Sequence, residues 1–227
     1  MISPYESALL VATTMTIKIA LFSLLMGMVI ALILTLMETS HFTPLRWFVA
    51  GFTSVFRGLP ELLVIFFIYF GTTPLLYAVT GKFVQISPFI LGALALSLIF
   101  ASYATHTLRG ALLAISEGQR EAARALGMTP FSSLTRIIFP QMVKHAIPGL
   151  SNQWLVLLKD TALVSLIGVT ELMRQAFVTA SSTSHYFYWY LSAAAIYLVI
   201  TLLSKWLTQM LSHKFSIKDN HTKEGVV

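Results

Sequence analysis

Charge-free apolar stretches alternate along this chain with short basic segments. Residues 19–37, 62–81, 83–105 and 186–204 hold no Asp, Glu, Lys or Arg. A helix that crosses a bilayer needs about 20 mostly apolar residues. The pattern therefore predicts spans over roughly 9–37, 59–81, 86–108 and 186–210. A fifth span is expected over 146–170, apolar apart from the adjacent Lys159 and Asp160. One charge at the bilayer centre costs about 2.5 to 3.5 kcal/mol on insertion scales, so a neighbouring opposite pair is tolerable where it faces protein or water. The fold class expected is an all-α integral membrane protein with five transmembrane helices. Residues 1–212 form its membrane domain and 213–227 a polar cytoplasmic tail.

The charges then orient the spans. With the N-terminus outside, the inner segments hold Arg46, Arg57, Arg109, Arg120, Arg124, Arg136, Lys144, Lys205, Lys214, Lys218 and Lys223. The outer ones hold only Lys82 and Arg174. That asymmetry obeys the positive-inside rule and predicts an outer N-terminus and a cytoplasmic C-terminus. It also argues against nucleic acid as a partner, because the basic residues follow membrane edges and form no single patch. Composition agrees: 56% of residues are hydrophobic and only 11% charged, against about a quarter charged in soluble domains. Zero Cys excludes disulfide frameworks and thiolate chemistry, and the six His lack metal-ligand spacing, so no metal or other cofactor is expected.

One long inner loop is expected, 107–145, with no other segment roomy enough for a soluble element. Its stretch EAARAL favours helix, Gly127 is a C-terminal stop, and Thr129-Pro130 is an N-cap followed by Pro at the first helical position. A second helix is expected from Pro130 to Phe139, ended by Pro140. Ala122, Ala123 and Leu126 give the first helix a low-relief surface that another backbone can approach closely.

The spacing of Glu121, Ala122, Ala123, Gly127, Ile137 and Pro140 resembles the EAA signature of ABC-importer permeases, with Phe139 where that family usually has Leu. FRGLPELL at 56–63, SYATHTLRGALLAISEGQREAARALGM at 102–128 and LLKDTALVSLIGVTEL at 157–172 are similar to successive landmarks of the polar amino-acid permeases of that superfamily. HAIPGLSNQWLVLLKDTALVSLI is most similar to Q-type permease subunits of arginine importers. His106 departs from relatives that carry Glu there, so no role of that carboxylate transfers.

The resemblance implies a type I importer fold in a bacterial inner membrane, moving a polar, basic amino acid with arginine favoured. It implies a cytoplasmic coupling helix, Glu121 to Gly127, docked on an ATP-binding cassette subunit. A second permease chain, identical or sibling, and an outer substrate-binding protein complete the assembly. No GxxxxGK[ST] loop occurs in the chain, which agrees with ATP hydrolysis on a separate polypeptide and with a transport subunit that is not itself an enzyme.

Polar residues within the spans are candidates for the pathway: Arg57, Pro60 and Glu61 at the inner start of the second span, and Lys159, Asp160 and Thr161 in the fourth. Pro60 favours a kink, and adjacent helical residues point about 100° apart, so Lys159 and Asp160 cannot share a face. Glu171 is expected among headgroups, and Tyr186 to Tyr190 as an aromatic belt. Two alternatives differ in class. One is an ATP-independent carrier or channel, disfavoured by the absence of paired half-chain repeats. The other is an intramembrane hydrolase using Ser102 and His106, four residues apart on one helix face but without an orienting carboxylate or GxSxG turn.

Overall fold

The computed structural model describes residues 4–215, which form helices α1 (Pro4–Glu38), α2 (Thr43–Gly58), α3 (Glu61–Thr80), α4 (Pro88–Leu113), α5 (Glu117–Ala125), α6 (Pro130–Ser133), α7 (Phe139–Asp160), α8 (Leu172–Thr183) and α9 (Tyr186–Phe215). Among the described residues there is no strand. The expected tail falls almost wholly outside them, and its first residues, 213–215, close α9.

Four helices are long and apolar enough to cross a membrane: Pro4–Glu38, Glu61–Thr80, Pro88–Leu113 and Tyr186–Met210. The most apolar window of α4 is 67% buried, against 11% for α3 and α9, so α4 is the central post of the bundle. Its first turn follows from sequence, with Ser87 accepting from the Ile90 N–H and Pro88 opening the helix.

Small residues seat α1 on α4. Ala20, Ser23, Gly27 and Ala31 recur at three- and four-residue intervals and are all buried. The Ser23 hydroxyl donates to the Ala93 carbonyl across the interface. Where apolar lipid competes for the same helix faces, close backbone approach of this kind supplies the packing energy.

The structure departs from expectation at three breaks, each with a local cause. The second span does not kink at Pro60 but is severed there. Pro disfavours helical backbone in its predecessor, and Leu59 accordingly adopts φ −93°, ψ 146° between α2 and α3. Residues 43–58 are therefore a separate amphipathic helix, α2, in a place where only the 107–145 loop was expected to hold an extra element. That loop is itself shorter, running between Leu113 and Phe139.

Pro140, second, does not end a helix. A π turn over Leu134–Ile138 leads straight into α7, with the Phe139 N–H bonded to the Leu134 carbonyl. The pyrrolidine ring would crowd the carbonyl four residues back, and the widened turn removes that clash. Third, the segment expected as a continuous helix over 146–170 changes character at Asp160. A 3₁₀ stretch follows, Thr161–Ile167, and Gly168 with φ 94° turns the chain towards α8.

Candidate functional site

At the break between α2 and α3, Glu61 opens α3 and faces Asp160, the last residue of α7. The two carboxyls are close enough to interact electrostatically. They line one cavity of about 300 Å³ with Tyr103 of α4 and Asn152, Gln153 and Val156 of α7. Severing the helix at Pro60 is what puts the Glu61 side chain at a helix start, aimed at the α4–α7 seam.

Gln153 is held rigidly in the cavity wall. Its Nε2 donates to the Tyr103 carbonyl at 3.1 Å and to the Thr107 hydroxyl at 2.6 Å. A carbonyl only accepts, so the amide orientation is determined and Oε1 points the other way. That oxygen is buried and has no hydrogen-bond partner among the described residues. The wall thus presents two carboxyls, and Gln153 braces it from α7 to α4. A ligand rich in N–H donors satisfies both carboxyls; an anion brings them no donor.

The other expected pathway residues separate. The Arg57 guanidinium lies 5.5 Å from the ring centre of Tyr103, at the edge of the cavity. Pro60 shapes the chain and contributes no polar group. Lys159 points away from Asp160 into a second groove, of about 600 Å³, beside Met173, Ala193 and Tyr197. Thr161 is fully buried and its hydroxyl donates to the Leu158 carbonyl, which occupies it structurally. Tyr103, Asn152 and Gln153 were not expected. The four-residue spacing of Tyr103 and Thr107 opposite Ser151, Asn152 and Gln153, set in the apolar stretch 146–158 of α7, is the sequence signal that could have found them.

The second group of residues clusters at the α5 end. Ala123 is fully buried while Glu121, Ala122 and Leu126 are exposed, so α5 is pinned through one alanine and presents its other face outward. Gly127 has φ 69° and ends the helix in a Schellman motif, its N–H on the Arg124 carbonyl at 2.9 Å and the Met128 N–H on the Ala123 carbonyl at 3.0 Å. Thr129 then caps α6 by accepting from the Ser132 N–H, as the Thr-Pro pair predicted. Ile137 is half-buried in the π turn and Pro140 exposed just beyond it.

Two further residues differ from expectation. Glu171 is fully buried, where headgroup exposure was expected. In the aromatic belt Trp189 is also buried, donating its indole N–H to Thr183, while Tyr186, Phe187 and Tyr188 are exposed. The Ser102 hydroxyl donates to its own helix at Ile99 and His106 is exposed, so no nucleophile–base pair forms there.

Comparison with known proteins identifies the family and the fold. Residues 23–217 match the family described as "Binding-protein-dependent transport system inner membrane component". The chain is 48% identical over 207 residues to the arginine ABC transporter permease protein ArtQ of Haemophilus influenzae, covering 90% of this chain and 92% of that one. It is 43% identical to the octopine transport system permease protein OccQ of Rhizobium meliloti, covering 88% and 86%. A crystal structure of an amino acid ABC transporter with histidines superposes with a TM-score of 0.82 at 33% identity, covering 92% and 95%.

Proposed function

The chain belongs to the binding-protein-dependent transport system inner membrane components, and from that premise we propose that it carries arginine or a closely related cationic amino acid through the cavity of Glu61 and Asp160. It is a permease subunit of an ABC importer and not an enzyme; ATP is hydrolysed on a separate subunit. The family carries with it an ATPase partner and a substrate-binding protein.

The observation that carries the choice of substrate is the pair of carboxyls, Glu61 and Asp160, in one wall. A guanidinium has five N–H donors in a planar fork and matches such a wall better than a neutral side chain. The relatives named for arginine and octopine transport support the same class.

In this reading five segments cross the inner membrane, α7 with its 3₁₀ extension being the fourth, and the N-terminus lies outside. Support comes from the basic residues around α2, α5 and the start of α7 and from the polar face that α7 turns to α4 instead of lipid. The exposed face of α5 with Glu121, Ala122 and Leu126, its stop at Gly127, and the return through Ile137 and Pro140 then form the ATPase contact. A second permease chain, identical or sibling, covers the aromatic face of the sparsely buried α3, including Phe67 and Phe70.

The test is uptake of radiolabelled arginine into proteoliposomes holding the chain with its ATPase and binding protein. Uptake is expected only with ATP, with unlabelled lysine and ornithine competing and glutamate not. Uptake by the chain alone, or competition by glutamate, contradicts the reading.

A further inference from the structure

Beneath α5 lies a groove of about 590 Å³, bounded by the last turns of α1 and α4 and by the segment from Pro130 to Met142. Its floor is apolar, with Leu32 and Leu36 of α1, Leu112 of α4 and Ile138 of the π turn. Arg120 and Arg124 line its polar edge, one helical turn apart on α5.

Neither arginine is neutralised. Among the described residues the one ion pair joins Arg109 to Glu38, and no carboxylate lies within ion-pair distance of Arg120 or Arg124. The Nε of Arg120 is buried without an acceptor. Two unpaired guanidiniums one turn apart, Arg120 half-buried and Arg124 exposed, make this edge complementary to an anion.

The rest of the groove defines what kind of anion. Leu36 is 65% exposed and Phe139 47% exposed, so the apolar side opens outward between α1 and α7. Residues 32–38 are the final turns of α1, a helix apolar enough to cross a membrane, whose apolar run gives way to Glu38. A ligand that fits both parts has a phosphate for the guanidinium forks and hydrocarbon for the leucines.

We propose that this groove seats one anionic phospholipid, its phosphate bridging Arg120 and Arg124 and an acyl chain lying along Leu32 and Leu36. The lipid then fills the groove between α5 and the ends of α1 and α4. This rests on the reading of α5 as the cytoplasmic element that meets the ATPase.

Native mass spectrometry of the full-length chain in mild detergent tests it, with phosphatidylglycerol, phosphatidylcholine and glycerol phosphate as probes. One phosphatidylglycerol is expected to stay bound, phosphatidylcholine and glycerol phosphate to be lost. The double variant Arg120→Gln with Arg124→Gln is expected to weaken phosphatidylglycerol roughly thirtyfold, about fivefold per basic residue near an anionic surface. Leu36→Trp, which fills the groove and keeps both arginines, is expected to weaken it too, so the question stays answerable if the double variant misfolds.

Equal retention of phosphatidylcholine, retention of glycerol phosphate, or unaltered binding in both variants overturns the proposal. So does a double variant that keeps its lipid but no longer captures the ATPase, since the guanidiniums would then serve a protein carboxylate. Lipid retention is read without ATP or transport. A failure of coupled uptake alongside arginine-dependent lipid binding therefore counts against the reading of α5 and not against the lipid site.

Discussion

The Tyr197 hydroxyl of α9 donates to the Glu171 carboxylate at the start of α8, at 2.7 Å. The same carboxylate caps α8 by accepting the Arg174 N–H at 2.8 Å, and the Thr16 hydroxyl of α1 stands 3.4 Å away. Thr16 in turn accepts the Leu172 N–H at 3.0 Å. One buried carboxylate thus ties three helices at the end of the bundle opposite α5.

Because the tie is shared, its parts are coupled. Tyr197→Phe is expected to lower the melting temperature in detergent, and Glu171→Gln to lower it more, since the cap and the tyrosine both lose a charged acceptor. The double variant is expected to cost less than the sum, by about 1 kcal/mol, in the range measured for hydrogen bonds between membrane helices. Strict additivity in the cycle would remove Glu171 as the tie.

The α1–α4 seam makes a steric prediction. A Cβ placed on Gly27 would stand 2.8 Å from the Ser97 carbonyl oxygen and 2.8 Å from Phe100. The phenyl ring can rotate, but the carbonyl belongs to the central helix. Gly27→Ala is therefore expected to destabilise by about 1 to 3 kcal/mol, the usual cost of overpacking. Gly51→Ala is the control, since nothing lies within 4 Å of its Cβ position. Equal melting temperatures for the two variants would contradict the close packing.

Gly127 makes a conformational prediction instead. Its added Cβ would meet nothing within 4 Å, yet its φ of 69° is one that L residues rarely adopt. Asn tolerates that region better than Ala. If the bend after α5 matters for coupling, Gly127→Ala is expected to lower ATP-driven uptake several-fold while Gly127→Asn retains most of it, at equal substrate-free ATPase rates. Identical losses in both variants would point to a direct contact at Gly127.

These sites were unequally legible. The apolar runs that became α1, α3, α4 and α9 could be read from the chain because membrane-length hydrophobicity survives any packing arrangement. The Thr129-Pro130 cap and the Gly127 stop were legible because each is decided within one turn. The severed helix at Pro60 and the continued one at Pro140 were not. The same residue type breaks the chain in one place and is absorbed by a π turn in the other, and the difference lies in the neighbouring backbone geometry. Glu171 was misjudged for a related reason: nothing local to it announces Tyr197 or Thr16, which reach it from other helices. Within the cavity, Asp160 and Glu61 stood out as charges in apolar surroundings. Gln153 was not legible because its part is a pair of bonds to another helix, about 50 residues away in the chain.

The two carboxyls of the cavity yield the most specific prediction. Asp160→Asn keeps the shape of the cavity wall and removes a charge, and hydrogen bonds to charged groups contribute about 1.5 to 3 kcal/mol. A rise of roughly tenfold to a hundredfold in the KM for arginine uptake is expected from that range. Glu61→Gln should act in the same direction, because its carboxyl lines the same wall. Gln153→Leu removes the bonds to Tyr103 and Thr107 that brace the wall, so it should raise KM and lower the melting temperature together. Lys159→Gln is the internal comparison: adjacent in the chain but facing the groove beside Tyr197, it should leave the KM for arginine near that of the parent. If Lys159→Gln and Asp160→Asn raise KM alike, the effect is a general disturbance where α7 ends. If Asp160→Asn alone is inert, substrate takes another route through the bundle.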